Sequence, residues 1–215
     1  MKYFGIPLGM WLLFERSFRK CLVTVLGHSG NDAKAITKKA KAQFREIIIR
    51  LPKFEKDDRF QMNIISCAML CAFLQSMEQF PMVEQLTSYY KNAMMTWPMK
   101  WYCFVEGQQK FSETDSRAMK AAASLRGADR NPYSWNMEYI PYPDDNGYEA
   151  RFTKCGICTL MGELGFAEFV PAMCHLDYAM AEASGTSNFF RKYTLATGGP
   201  YCDCGYQKKG KAGTG

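Results

Sequence analysis

With 215 residues, 47% of them hydrophobic and 22% charged, the chain can bury a substantial core and has the balance of a soluble globular protein. The net charge of +6 is mild. Much of it sits in Lys34, Lys38, Lys39, Lys41 and Arg45, where no aromatic residues interleave, so this group reads as a solvated helix face and no nucleic-acid partner is expected.

The apolar opening "YFGIPLGMWLLF" has one leading lysine and no small-x-small cleavage site, and it runs into Glu15, Arg16, Arg19 and Lys20. It reads as a first helix and not as a secretion signal. No stretch reaches the roughly 18 to 20 apolar residues that span a bilayer, so no membrane partner is expected. An odd count of 9 cysteines without a signal argues for thiols over disulfides, and for a cytoplasmic protein.

Met10, Leu13, Phe14, Phe18, Cys21, Leu22 and Val25 recur at helical spacing until "GHSGND" ends the run. A second helix follows, with Asn31 or Asp32 as its cap and Pro52 beyond its end. "DDRFQMNIISCAMLCAFLQSMEQF" is apolar almost all round, which predicts the central buried helix, with Cys67 and Cys71 as packing residues. Pro81 opens a fourth helix that ends near Trp97-Pro98, and "SETDSRAMKAAASLRG" predicts one more. Beyond Arg130 the pattern changes. "SWNMEYIPYPDDNGYEARFTKC" reads as two strands around an Asp-Asn-Gly turn. "GICTLMGELG" and "PAMCHLDYAMAEASG" read as helices, the second opened by Pro171. "NFFRKYTLAT", Gly-Gly and "PYCDCGYQK" read as a hairpin.

The expected class is α+β: a helical N-terminal half (1–130) packed on a C-terminal antiparallel sheet with order β-β-α-α-β-β (131–207), as one compact unit with a flexible tail (208–215).

Five of the cysteines lie in the C-terminal part: Cys155, Cys158, Cys174, Cys202 and Cys204, interleaved with His175, Asp177, Arg191 and Asp203. If Gly198-Gly199 is a two-residue turn, Leu195 lies opposite Cys202, Tyr193 opposite Cys204 and Arg191 opposite Tyr206. That places Arg191 on one sheet face with both thiols, and Asp203 on the other. On the helix opened by Pro171, Cys174 and Asp177 share a face, and Cys174 falls where a helix dipole lowers a thiol pKa. Cys155 ends a strand and starts a helix, again favouring thiolate. A redox pair in "CGIC" and a structural zinc held by CxxC plus CxC both remain compatible with this spacing. His175 reads as a surface or supporting histidine, and His28 as a loop residue. No Ser-His-Asp arrangement, phosphate loop or dinucleotide fingerprint is present.

"FTKCGICTLMGELGFAEFVPAMCHLDYAMAEA" followed by "FRKYTLATGGPYCDCGY" resembles the signature of the L-2-amino-thiazoline-4-carboxylic acid hydrolase family. The matching positions are Cys155, Glu163-Leu164-Gly165, Cys174, Asp177-Tyr178, Arg191, Thr194-Leu195, Gly199, Cys202 and Asp203. Two thiols lie outside the pattern: Cys158, and Cys204 where an aromatic residue is expected. The closing "TLATGGPYC" is also similar to the end of the 4-vinyl-reductase-like small-molecule-binding domain, in which cysteines near this hairpin can hold zinc.

The resemblance implies a hydrolase that opens a cyclic amidine bearing a carboxylate. Its catalytic candidates are Cys174, Asp177, Cys202 and Cys155, with Asp177 as acid/base. Arg191 is expected to hold the substrate carboxylate, with Thr194 and Tyr193 beside it. Zinc on Cys155, Cys174, Cys202 and Cys204 is the alternative way to activate water. The runner-up is a non-catalytic small-molecule- or zinc-binding module. The expected partner is a small carboxylate, met by a monomer or a homo-oligomer.

Overall fold

A computed structural model describes residues 1–55, 58–127 and 130–210. Helix α1 (Ile6–Thr24) buries Met10, Trp11, Phe14, Phe18, Cys21 and Leu22, while Leu13 points to solvent. Helix α2 (Gly30–Arg50) is capped by Ser29, whose hydroxyl accepts from Asp32 N at 3.1 Å; the cap therefore precedes the expected Asn31 or Asp32. Helix α3 (Gln61–Leu74) is the centre of the molecule. Every side chain from Ile64 to Leu74 is buried, including Cys67 and Cys71, because α3 packs against α2 on one side and the later helix Gly156–Glu163 on the other.

Helix α4 (Val83–Met94) ends sooner than its sequence suggests. Trp97-Pro98 does not close it but opens a further helix, α5 (Trp97–Gln109), with Thr96 as N-cap. A proline in the first turn loses no helical hydrogen bond, so the same dipeptide that suggests a stop serves as a start. Helix α6 (Glu113–Gly127) completes the N-terminal part.

The sheet has the order β1-β2-β4-β3, antiparallel throughout: β1 (Glu138–Pro141), β2 (Gly147–Phe152), β3 (Ser187–Phe190) and β4 (Cys202–Lys208). Between β2 and β3 lie α7 (Gly156–Glu163), a short 3-10 turn, α8 (Val170–Cys174) and α9 (Leu176–Ser184). Lys208, placed by sequence in a flexible tail, is the last residue of β4 and pairs with Ser187; residues 211–215 of that tail lie outside the described residues. The pairs Phe152↔Cys202, Ala150↔Cys204 and Tyr148↔Tyr206 put these six side chains on one face of the sheet. The architecture is α+β, with helices preceding and covering a C-terminal antiparallel sheet. Among the described residues, no helix is long and apolar enough to cross a membrane.

Two local readings are corrected. The connection between β3 and β4 is not a Gly-Gly hairpin. β3 stops at Phe190, Leu195–Thr197 form a 3-10 turn, and the Thr194 hydroxyl caps it by accepting from Thr197 N at 3.1 Å. Thr194 therefore does not pair with β4. Asp203 is the reason: its carboxylate accepts from the N–H groups of Lys192 and Tyr193 and replaces the ladder there. The true register, Phe189↔Tyr206 and Phe190↔Gly205, differs by two residues from the expected one. An even slip keeps every side chain on its face.

The second correction concerns "PAMCHLDYAMAEASG", which is two helices and not one. The chain breaks at His175, where the carbonyl of Cys174 accepts from Arg191 Nη2 at 2.8 Å. Cys174 is thus the last residue of a five-residue helix, not a first-turn residue of a long one.

Candidate active site

A cavity of about 180 Å³ lies between α3, the start of α7, the α8–α9 break and the inner face of β4. Cys155, Cys174, Cys202, Cys204, Asp177 and Arg191 all line it. Tyr193 and Thr194 do not: Tyr193 packs edge-on against Tyr201, and Thr194 caps its turn. Exposed His175 packs against Tyr178.

Cys155 is the extended N-cap residue of α7. Gly156 lets this helix start lie directly on the chain before β1, since a Cβ there would sit 2.0 Å from the carbonyl of Tyr133. That close approach brings Trp135 to the thiol. The groups that favour charge on the Cys155 sulfur are the Cys158 thiol first, then the backbone N–H groups of Cys158 and Ile157 and the Trp135 side chain, although the sulfur makes no cap hydrogen bond to α7. These donors, the Cys158 thiol foremost, pull Cys155 below its ordinary pKa despite burial, which acts the other way.

The other cavity thiols go up. Burial pushes Cys174 up to about 12, with Arg191 opposing, so the expected dipole-activated thiolate is not found. Its helix is short and its sulfur lies at the wrong end of it. Burial also raises Cys204 and Cys202; Cys202 accepts from Leu195 N at 3.2 Å. Cys158 is raised too, by its Cys155 neighbour first and by burial second.

Arg191 is already engaged by three groups of the protein. Nη1 lies 2.9 Å from Asp177 Oδ2 and 3.7 Å from Cys204 Sγ, Nη2 binds the Cys174 carbonyl, and its side chain is only 5% exposed. Arginine thus meets the thiols as the sequence suggests, but as a structural clamp on Asp177 and not as a free cation for a ligand. Asp177 keeps 40% of its side-chain surface accessible. Burial raises its carboxyl above the usual carboxylate range, Arg191 and Lys110 pull it back, and the accessible surface limits the rise.

Among the described residues, no three His, Cys, Asp or Glu side chains are grouped to hold a metal ion. The guanidinium of Arg191 lies between Asp177 and Cys204, a fixed positive charge among the donors that a zinc ion would need. The set Cys155, Cys174, Cys202 and Cys204 does not fit zinc.

Two walls of the cavity carry no sequence signal, and the third, Tyr206, is the residue that strand alternation puts on the face of Cys202 and Cys204. Phe60 and Trp135 pack together with ring centroids 5.2 Å apart. Tyr90 donates to Ser66 at 3.2 Å as a polar back wall. Tyr206, from the inner face of β4, closes the far side.

Replacing Cys158 with alanine should raise the Cys155 pKa, because the largest stabiliser of its thiolate is removed. Less thiolate is then present at any given pH near neutrality. Alkylation of Cys155 by iodoacetamide should slow several-fold at pH 7 and its rate–pH midpoint should move up. An unchanged midpoint would show that Cys158 is not the donor.

Residues 62–206, well over half of the chain, match the family model described as L-2-amino-thiazoline-4-carboxylic acid hydrolase. No curated protein and no solved structure matches the chain. The matched segment runs from α3 to β4 and holds every cysteine, aspartate and arginine of the cavity. The chain belongs to the L-2-amino-thiazoline-4-carboxylic acid hydrolase family.

Proposed function

We propose that this protein hydrolyses a 2-amino-thiazoline-4-carboxylate or a close cyclic amidine, with Cys155 as nucleophile. The observation that carries the reading is that Cys155 alone of the cavity thiols is drawn toward thiolate, inside a cavity that also holds an acid/base candidate. A low-pKa, half-buried thiol at a helix start is the form a nucleophilic cysteine takes.

The thiolate of Cys155 adds to the ring carbon between sulfur and nitrogen. The ring carbon–sulfur bond then breaks, because a thiolate leaves more readily than an amide-like nitrogen. The released sulfur takes its proton from the Asp177 carboxyl, leaving an isothiourea on Cys155 and a carboxylate at Asp177. Water next adds to the same carbon, with Asp177 taking its proton, and the Cys155 thiolate departs. Substrate plus one water equals a carbamoyl-cysteine, and the enzyme is regenerated. Arg191 holds Asp177 in place and opposes the rise that burial gives its carboxyl. Such free-thiol chemistry suits a reducing compartment, the cytoplasm.

Incubation with a panel of thiazoline-carboxylates should yield carbamoyl-cysteine, identified by mass, with catalytic turnover. Tight binding across the panel with no product would overturn the hydrolase reading in favour of a binding module.

A further inference from the structure

The proposed substrate carries a carboxylate, and Arg191, the cation that the family pattern offers, is spent on Asp177 and the Cys174 carbonyl. Displacing it would unseat the acid/base candidate. The negative group must find another partner, and the molecule has one next door. A second cavity, of about 230 Å³, adjoins the first and shares Asp177, Met180 and Tyr206 with it as a common wall.

Two cations line this second cavity, Lys110 at the C-cap of α5 and Arg59 just before α3. Among the described residues, neither makes an ion pair. The Lys110 ammonium lies 3.4 Å from the ring centroid of Tyr206 and within 6 Å of the rings of Tyr148 (5.6 Å) and Phe111 (5.9 Å). Aromatic faces attract its charge but accept none of its hydrogen bonds in the usual way. Among the described residues, Arg59 Nη1 donates to the Met119 sulfur, at 2.9 Å, a weak acceptor. Burial draws Lys110 down to about 8, although Asp115 and Asp177 push it up.

The carboxylates facing Lys110 are Asp115, Asp177 and Glu106. Asp115 accepts from Phe111 N at 2.9 Å, Asp177 pairs with Arg191, and Glu106 sits exposed at the mouth. A fourth feature points the same way. Ser187 Oγ lines the cavity, is buried with 1% residual exposure, and has no hydrogen-bond partner. A buried hydroxyl without a partner is costly unless something fills it.

We propose that this second cavity is the carboxylate subsite of the enzyme, with Lys110 as the primary cation, Arg59 behind it and the Ser187 hydroxyl as a further donor. The ligand's carboxylate lodges there, and its ring reaches past Tyr206 and Asp177 toward Cys155. This rests on the hydrolase reading of the first cavity and deepens it: the site selects for substrates that carry a carboxylate.

The test compares 2-amino-thiazoline-4-carboxylate with 2-amino-thiazoline, which lacks the carboxylate. Lys110→Gln should raise KM for the carboxylated substrate about 10- to 100-fold, the scale of one charge-assisted hydrogen bond, with kcat changed little. It should leave the neutral analogue unaffected, and Lys110→Arg should recover most of the loss. Equal effects on both compounds, or no effect on either, would overturn the subsite. A second measurement does not need turnover. Acylation of Lys110 by a succinimidyl ester, followed by peptide mass, should be suppressed by 2-amino-thiazoline-4-carboxylate and not by the neutral analogue. Protection without product would leave the subsite standing while the hydrolase reading falls; no protection would overturn the subsite itself.

Discussion

Cys155→Ser should lower turnover of the best thiazoline-carboxylate by at least roughly a thousandfold, the order of loss that follows removal of a covalent nucleophile. A serine hydroxyl has nearly the same size and can occupy the same N-cap position, so the fold should hold. It cannot ionise near neutral pH, and the donors that gather around the sulfur would then meet a neutral oxygen. Cys67→Ser, in the middle of α3 and outside the cavity lining, should leave the chemistry intact. Cys202→Ser is the sharper comparison. Cys202 lines the same cavity but is raised by burial, so its loss should reduce activity less than the loss of Cys155. If Cys155→Ser stays within about tenfold of wild type while Cys202→Ser is dead, the nucleophile has been placed on the wrong strand end.

The sequence carries the fold class well because its strongest signals are periodic. Helix α3 is apolar on every side and is buried on every side. Strand β2 shows its two-residue alternation, and Asp-Asn-Gly marks the turn between it and β1. Helix α5 is missed for a physical reason: Trp97, Trp101 and Phe104 point outward and only Cys103 and Gly107 are buried, so the apolar pattern does not mark the packed face. The β3–β4 register is wrong by two residues, yet the face assignment survives because parity, not exact pairing, decides which side a residue takes. That is why Arg191 still meets Cys204.

What sequence cannot supply is how charges spend themselves. Arg191 and Asp177 are visible as site residues, but their mutual pairing, which removes Arg191 as a substrate clamp, depends on the break at His175. Cys174 shows the same limit. A dipole argument needs a helix that continues, and this one ends at the thiol. Trp135 and Lys110 converge from separate elements at no fixed spacing, so nothing local announces them.

Asp58→Ala should cost about 3–5 kcal/mol of stability, the usual loss on breaking a buried ion pair from one side. Asp58 precedes α3 with its side chain 1% exposed. Its carboxylate accepts from Arg126 Nη1 at 2.8 Å, from the Ser134 hydroxyl at 2.7 Å and from Phe60 N at 2.9 Å. One carboxylate therefore ties the start of α3 to the end of α6 and to the chain leading into β1. Alanine would remove one counter-charge of a guanidinium that is itself 8% exposed. The melting temperature should fall on the order of 10 °C for a chain of this size. Asp58→Asn keeps the shape and one acceptor oxygen and should lose less. The double change Asp58→Leu with Arg126→Met removes both charges and should recover part of the loss, because the pair's desolvation cost vanishes with it. The consequence reaches the chemistry. Phe60 and Trp135, held on either side of this carboxylate through Phe60 N and Ser134, form a cavity wall, and Trp135 is a donor to Cys155. Below its lowered melting point the alanine variant should already show slower alkylation of Cys155, since a loosened Trp135 stabilises the thiolate less. A melting temperature within about 2 °C of wild type would mean that Asp58 is not the tie between the helical part and the sheet.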